Sequence, residues 1–258
     1  MADAFAARLH LEAVGVRYGA ERAVDRVDCT ARAGEFVVLV GPNGSGKSSL
    51  LRAVAGLQRH EGLVRLEGAP AAAIGFMPQD NGAHAALTVL EAALLGRLRA
   101  LGLAVPPAEL DRAVASLDRL GIAHLSARRL TELSGGQRQL VFLAQLLASE
   151  PAVLLLDEPT SALDMRNQLL LLDMLAKLAH ANGLIVVAAL HDLNAAARFA
   201  DRVLVLDRGR LVADGPPAAT LTSELIARTY RVHAEIARLP GDGIAIIPVA
   251  ALDGSEPR

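Results

Sequence analysis

A single cysteine, Cys29, stands in the whole sequence, and there are only two lysines, Lys47 and Lys177. One cysteine excludes an internal disulfide framework and a cysteine-based zinc cluster. Its place in an apolar-alternating stretch makes it a core residue. Long apolar runs are missing too: the longest clear one spans residues 183–190. That is far short of the roughly 18 residues a membrane-crossing helix requires. Residues 1–8 lack the basic-then-apolar pattern of a secretory leader. The chain is therefore expected to be soluble and cytosolic, meeting a membrane only through a partner. Net charge is −2, which gives no electrostatic footprint for nucleic acid, and no such partner is expected. Repeats and low-complexity blocks are absent as well. With 258 residues there is room for one large domain, or for a core with a subdomain, around a substantial interior.

One of the two lysines sits in Gly41-Pro42-Asn43-Gly44-Ser45-Gly46-Lys47-Ser48-Ser49. An apolar run, residues 36–40, precedes this stretch, and an apolar-periodic one (Leu50, Leu51, Val54, Leu57) follows it. Strand, glycine loop and helix form the context in which G-x-x-x-x-G-K-[ST] is a phosphate cradle. Glycines let successive backbone N–H groups converge on phosphate oxygens, and the next helix aims its positive end at the same anion. Lys47 is expected to reach the β- and γ-phosphates, and the Ser48 hydroxyl to complete a Mg²⁺ shell. The sequence thus predicts binding of a nucleoside triphosphate.

Upstream, residues 9–31 alternate apolar and polar around a turn near Tyr18-Gly19, the signature of a half-buried hairpin. Tyr18 could stack on an adenine face or simply close the hairpin. Downstream, two short strand-like pieces at 63–66 and 74–76 lead to Gln79, whose amide oxygen could serve a metal or an attacking water. From 88 to 102 and from 107 to 120 the period becomes helical, with Leu110, Val114, Leu117 and Leu120 on one face and Pro106-Pro107 placed to start the second helix. This insert reads as a helical subdomain.

Leu133-Ser134-Gly135-Gly136-Gln137-Arg138-Gln139 then opens a further helix. Alone it could be an ordinary capped start; beside a phosphate loop it reads as a second phosphate-binding surface. Residues 152–156 are apolar without interruption and end in Asp157-Glu158-Pro159. Such a strand suits a sheet covered on both faces, and ligands collect at the carboxyl ends of its strands. Asp157 is placed to hold Mg²⁺, and Glu158 to take a proton from a water attacking the γ-phosphate. A second apolar strand, residues 184–190, ends at His191-Asp192, where the imidazole could donate to the γ-phosphate. The other six histidines show no metal-ligand spacing.

Taken in order, a tyrosine, GPNGSGKSS, a glutamine, LSGGQ, VLLLDEP, SALD and a final His-Asp make the chain resemble the ATP-binding subunits of ABC transporters over nearly its whole length. The resemblance implies an α/β P-loop NTPase core, a mixed sheet flanked by helices. An N-terminal antiparallel β subdomain and an inserted helical subdomain would accompany it. On that pattern residues 1–84 and 150–240 form the nucleotide-binding core, 85–149 the helical subdomain, and 241–258 a C-terminal strand and tail. It implies Tyr18 as the adenine-stacking residue and Gln79 in the loop facing a membrane partner. Glu158 becomes the catalytic base and His191 the switch histidine. Ser134, Gly135, Gly136 and Gln137 would contact ATP held by a second copy, with Asp164 at the dimer interface. ATP and Mg²⁺ are the implied ligands. The implied partners are a second copy, a transmembrane permease that would hold the chain at the cytoplasmic face of the inner membrane and, indirectly, a substrate-binding protein.

Within the family the segment Leu190-His191-Asp192-Leu193-Asn194-Ala195-Ala196-Ala197-Arg198-Phe199-Ala200-Asp201-Arg202 is similar to importers of iron–siderophore, haem and cobalamin, with ferric siderophore the favoured cargo. Leu140 and Gln145 depart from that pattern, standing where many relatives carry arginine. A dimer also follows from the residues themselves. If the helix starts at Gly46 and Ser134 cannot reach one γ-phosphate within a chain, two-fold pairing lets each complete the other's site.

Overall fold

In a computed structural model of the chain, residues 7–70, 73–79, 87–97, 105–241 and 243–252 are described. At its centre lies a six-stranded sheet in the order β5-β6-β7-β3-β8-β9, formed by β3 (Phe36–Val40), β5 (Ile74–Met77), β6 (Val153–Asp157), β7 (Ile185–Ala189), β8 (Arg202–Asp207) and β9 (Arg210–Gly215). All neighbours are parallel except the β8–β9 hairpin. Every residue of β3, β6 and β7 is buried. Their uninterrupted apolar runs follow from this: side chains alternate between two faces and both faces are covered.

One face takes Phe36, Val38, Leu154, Leu156, Val186 and Ala188 into a cluster with leucines of α4 (Gly135–Ala148), α5 (Met165–Asn182) and α8 (Ser223–Tyr230). The other face takes Val37, Leu39, Val153, Leu155, Ile185 and Val187 into a cluster with α1 (Lys47–Val54) and a three-stranded antiparallel sheet. Each fully buried leucine here contributes roughly 1.5–3 kcal/mol relative to exposure. That second sheet has the order β2-β1-β4, from β1 (Arg8–Tyr18), β2 (Glu21–Arg32) and β4 (Glu61–Glu67). The mixed α/β fold with an N-terminal antiparallel sheet is thus the one the sequence implies. The two short strand-like pieces, 63–66 and 74–76, part company in space: the first joins β1 and the second joins β6.

The helical insert comprises α2 (Val89–Leu95), α3 (Pro107–Arg119) and α4, packed on its own cluster that includes Val89, Ala92, Leu117, Leu125, Val141 and Ala144. α4 belongs to two bodies at once. Val141 and Ala144 point into the insert, while Leu143 and Leu147, a helical turn apart, point into the sheet's core. The expected face of α3 needs correction. Leu117 is buried, but Leu110 and Val114 are exposed, and the inward edge runs through Glu109, Ala113 and Ser116 instead. The cause is polar: Glu109 is drawn inward to pair with Arg97, whose guanidinium also donates to the Ala148 carbonyl at 2.9 Å. The first insert helix, expected to run to residue 102, ends at Leu95, where Gly96 caps it; residues 98–102 and the polar tail from 253 lie outside the described residues.

After β9 come α7 (Pro217–Thr220), α8, and a hairpin of β10 (Val232–Arg238) and β11 (Ile244–Ala251), which form a two-stranded sheet of their own among the described residues. A dividing line at 241 therefore falls inside a hairpin loop. Asn194 of α6 (Leu193–Phe199) pins this hairpin, donating to the Ile246 carbonyl at 3.1 Å and accepting from its N–H at 2.7 Å. No described helix is long and apolar enough to cross a membrane.

Candidate functional site

At the carboxyl ends of β3, β6 and β7 lies an open cleft of about 530 Å³, lined by Tyr18, Asn43, Gly44, Ser45, Gly46, Lys47, Ser48, Ser49, Gln79, Glu158 and His191, with Glu21 and Ala23 of β2. The loop from Gly41 turns sharply between β3 and α1. Gly46, with φ 104°, is the residue before the helix, and a Cβ there would fall 2.3 Å from the Ala23 carbonyl oxygen. Only glycine tolerates both demands. No side chain caps α1, so its first-turn N–H groups are left for an anion. Lys47 is buried beneath the loop, its Nζ donating to the carbonyls of Gly41 at 2.8 Å and Pro42 at 3.1 Å. Burial lowers its pKa, an effect offset in part by Glu158 and Asp157 nearby.

Asp157 ends β6 fully buried, accepting from the Ser48 hydroxyl at 2.9 Å through Oδ1. Its Oδ2 is buried without a hydrogen-bond partner among the described residues. Burial pushes the Asp157 carboxyl up, opposed mainly by the Ser48 hydrogen bond and Arg52. A buried carboxylate oxygen lacking a donor, beside a serine hydroxyl, suits a hard divalent cation that prefers oxygen ligands. No three His, Cys, Asp or Glu side chains group as a metal cage among the described residues.

Glu158 follows with φ 53°, a left-handed backbone rare for a side-chain-bearing residue. Its N–H still reaches the Ala189 carbonyl at 3.2 Å, so the sheet edge holds the kink in place. The turn aims the carboxylate between two neighbours: Gln79 Nε2 donates to Oε2 at 2.7 Å, and His191 Nε2 meets Oε1 in a close hydrogen-bond contact. His191 is set by the end of β7 and by Asp192, whose side chain caps α6 through the N–H groups of Asn194 and Ala195. The Tyr18 hydroxyl lies 3.3 Å from Ser49 Oγ, leaving its ring 45% exposed along the cleft wall.

The remaining candidates lie elsewhere. Ser134, Gly135, Gly136, Gln137 and Asp164 are not among the residues lining the cleft. Ser134 caps α4 in a closed box: Gln137 N–H donates to Ser134 Oγ at 3.2 Å, and Ser134 N–H to Gln137 Oε1 at 3.0 Å. Asp164 caps α5, accepting from the Asn167 N–H at 2.8 Å. Sequence reasoning missed Glu21 and Ala23, whose place depends on how β2 crosses the phosphate loop. It also missed Gln139, which is buried and donates to the Glu158 carbonyl at 3.2 Å.

A sheet edge carrying a glycine cradle with its lysine, a serine–aspartate pair and a glutamate held by glutamine and histidine defines a P-loop nucleotide-binding protein. A family model described as ABC transporter matches residues 24–161. The hemin import ATP-binding protein HmuV of Myxococcus xanthus is 42% identical over 258 aligned residues, covering 93% of this chain and 96% of that protein. Among solved structures, a chain of a metal-chelate type ABC transporter in an inward-facing conformation matches with TM-score 0.84 and 32% identity, over 95% of this chain and 98% of that one. The bacterial ABC transporter cassette MJ0796, solved as a dimer, matches with TM-score 0.73 and 30% identity, over 81% of this chain and 98% of that one. This chain belongs to the ABC transporter family, as an ATP-binding subunit with the family's ATPase activity.

Proposed function

We propose that the chain energises a membrane importer of metal chelates, by hydrolysing ATP between two copies of itself. The observation that carries this reading is the Glu158 carboxylate, fixed between Gln79 and His191 in the same cleft as Lys47 and Ser48. In the proposed reaction the backbone N–H groups of 43–49 and Lys47 hold the phosphates, with Tyr18 against the adenine. Glu158 takes the proton of the attacking water, and His191 steadies the γ-phosphate as charge builds on it. A Mg²⁺ ion bound with ATP would neutralise charge on the β- and γ-phosphate oxygens. Ser48, Asp157 and the amide oxygen of Gln79 are the groups that would hold it.

Ser134, Gly135, Gly136 and Gln137 lie off the cleft of their own chain, which supports a two-fold pair in which each α4 start closes on the partner's ATP, with Asp164 at the seam. The dimeric state of the MJ0796 cassette supports the same arrangement. Loss of the γ-phosphate would then open the pair, and a permease at the cytoplasmic face of the membrane is the load on that stroke. A substrate-binding protein would act through the permease. For cargo, the names of the relatives favour hemin or a related metal chelate over ferric siderophore.

Glu158→Gln is the test. Hydrolysis should fall by about 10²–10⁴-fold, the range for loss of a general base, while ATP still binds and holds a closed dimer on size exclusion. Near-normal turnover would remove Glu158 from the role. For the cargo, co-expression with a neighbouring permease and binding protein in vesicles should give hemin-stimulated ATPase. Stimulation only by ferric siderophore, cobalamin or an exported compound would redirect the reading.

A further inference from the structure

Glu158 carries its strained backbone with outside help. Its carbonyl accepts three hydrogen bonds: from Ser161 N–H at 3.2 Å, from Ser161 Oγ at 3.1 Å and from Gln139 Nε2 at 3.2 Å. The first two come from the turn that Glu158 itself begins. The third crosses from α4, the helix that starts at Ser134 and is shared between the insert and the core. Gln139 is 5% exposed, and its Oε1 has no donor among the described residues. A buried amide satisfied on one side only is rare and asks for a reason.

A second contact ties the same two segments together. One turn before Gln139, a Cβ added at Gly136 would stand 2.7 Å from Leu163 Cδ2 and 3.1 Å from the Ala162 carbonyl oxygen. The start of α4 is therefore seated directly on the loop that leaves Glu158. It touches that loop once through a glycine that only bare backbone can match, and once through an amide hydrogen bond.

We infer that Gln139 is a positioning residue for hydrolysis: it fastens α4 to the backbone of Glu158, so the seating of that helix sets where the carboxylate points. This rests on the reading of Glu158 as the base. Under it, a helix whose start engages ATP on the partner copy moves the base on its own copy, linking the two sites through the first turns of α4 and one hydrogen bond. A shift near 1 Å at a reacting group costs on the order of 100-fold in rate, so a single hydrogen bond to the backbone is enough to matter.

The test measures ATPase kinetics of the full-length chain. Gln139→Met keeps the volume and removes the donor. It should lower kcat by about 10–100-fold while changing KM for ATP less than twofold, and a Glu158→Gln/Gln139→Met double variant should still form the ATP-bound dimer. Should Gln139→Met melt below assay temperature, Gln139→Asn, which keeps the amide but draws it back by one methylene, should show the same loss confined to kcat. A kcat within twofold of the parent, or a loss carried mainly by KM or by dimer formation, overturns the inference. The two readings fail separately. An active Glu158→Gln removes the base assignment, whereas a normal Gln139→Met beside an inactive Glu158→Gln removes only Gln139.

Discussion

The two helix starts proposed to meet phosphate, at α1 and at α4, are prepared in opposite ways. At α1 the residue before the helix is a glycine with no side chain to give, so the first-turn donors stay open and the lysine waits beneath them. At α4 Ser134 and Gln137 close a reciprocal box over the same kind of donors. The first site is organised before ligand arrives; the second is satisfied within its own chain. Open donors facing an open cleft are solvated and cost little, so α1 can stay ready. α4 sits on the joint between insert and core, where a frayed start would loosen both. Its box keeps the helix intact, and on the proposed reading ATP on the partner copy competes for those groups.

The largest effect should come from breaking the open site. Lys47→Ala removes the only lysine in the cleft and should raise the Kd for ATP by about 10²–10³-fold, in line with loss of a preorganised charged donor, as measured by equilibrium binding. Retained affinity would contradict the cradle. Breaking the closed site should be milder and of a different kind. Ser134→Ala should leave ATP affinity of the single copy unchanged, lower the melting temperature by an amount equivalent to about 1 kcal/mol for a lost cap, and reduce ATPase activity by more than that stability change explains. An unchanged ATPase rate would confine Ser134 to capping its own helix.

The smallest effect sharpens the comparison through pH. Burial lowers the Lys47 pKa, so the free protein loses this positive charge at a lower pH than an ordinary lysine would. kcat/KM should therefore fall on the alkaline side before pH 10.5 is reached. Lys47→Arg, which stays charged, should lose that alkaline limb even if its overall rate is lower. On the acid side burial raises Asp157, so proton competition for the cation site should begin above the usual carboxylate range. The Mg²⁺ concentration needed for half-maximal activity should rise as pH falls, and a Mg²⁺ requirement that stays flat along the acid limb would count against Asp157.

Much of this architecture could be read along the chain because the signals are local. Unbroken apolar runs at β6 and β7 required a sheet covered on both sides, and glycine spacing between β3 and α1 required a loop that lets backbone approach an anion. What escaped was set by distant neighbours. Leu110 and Val114 looked inward by periodicity, yet a buried Arg97–Glu109 pair claims the inward edge of α3. The strands at 61–67 and 74–77 carry similar patterns, and only packing sends one to each sheet. Leu140 packs against both the insert and the core, and nothing in its own neighbourhood announced that.

By itself the order of residues determined the phosphate loop, the acidic strand end and the helix starts, since each depends on spacings of a few residues and on the conformations glycine allows. Tertiary structure alone decided that Gln79 and His191 grip one carboxylate, and that Gln139 holds its backbone. Those contacts join positions 79, 139, 158 and 191, and only the ordering of parallel strands and the seating of α4 bring them within hydrogen-bond reach.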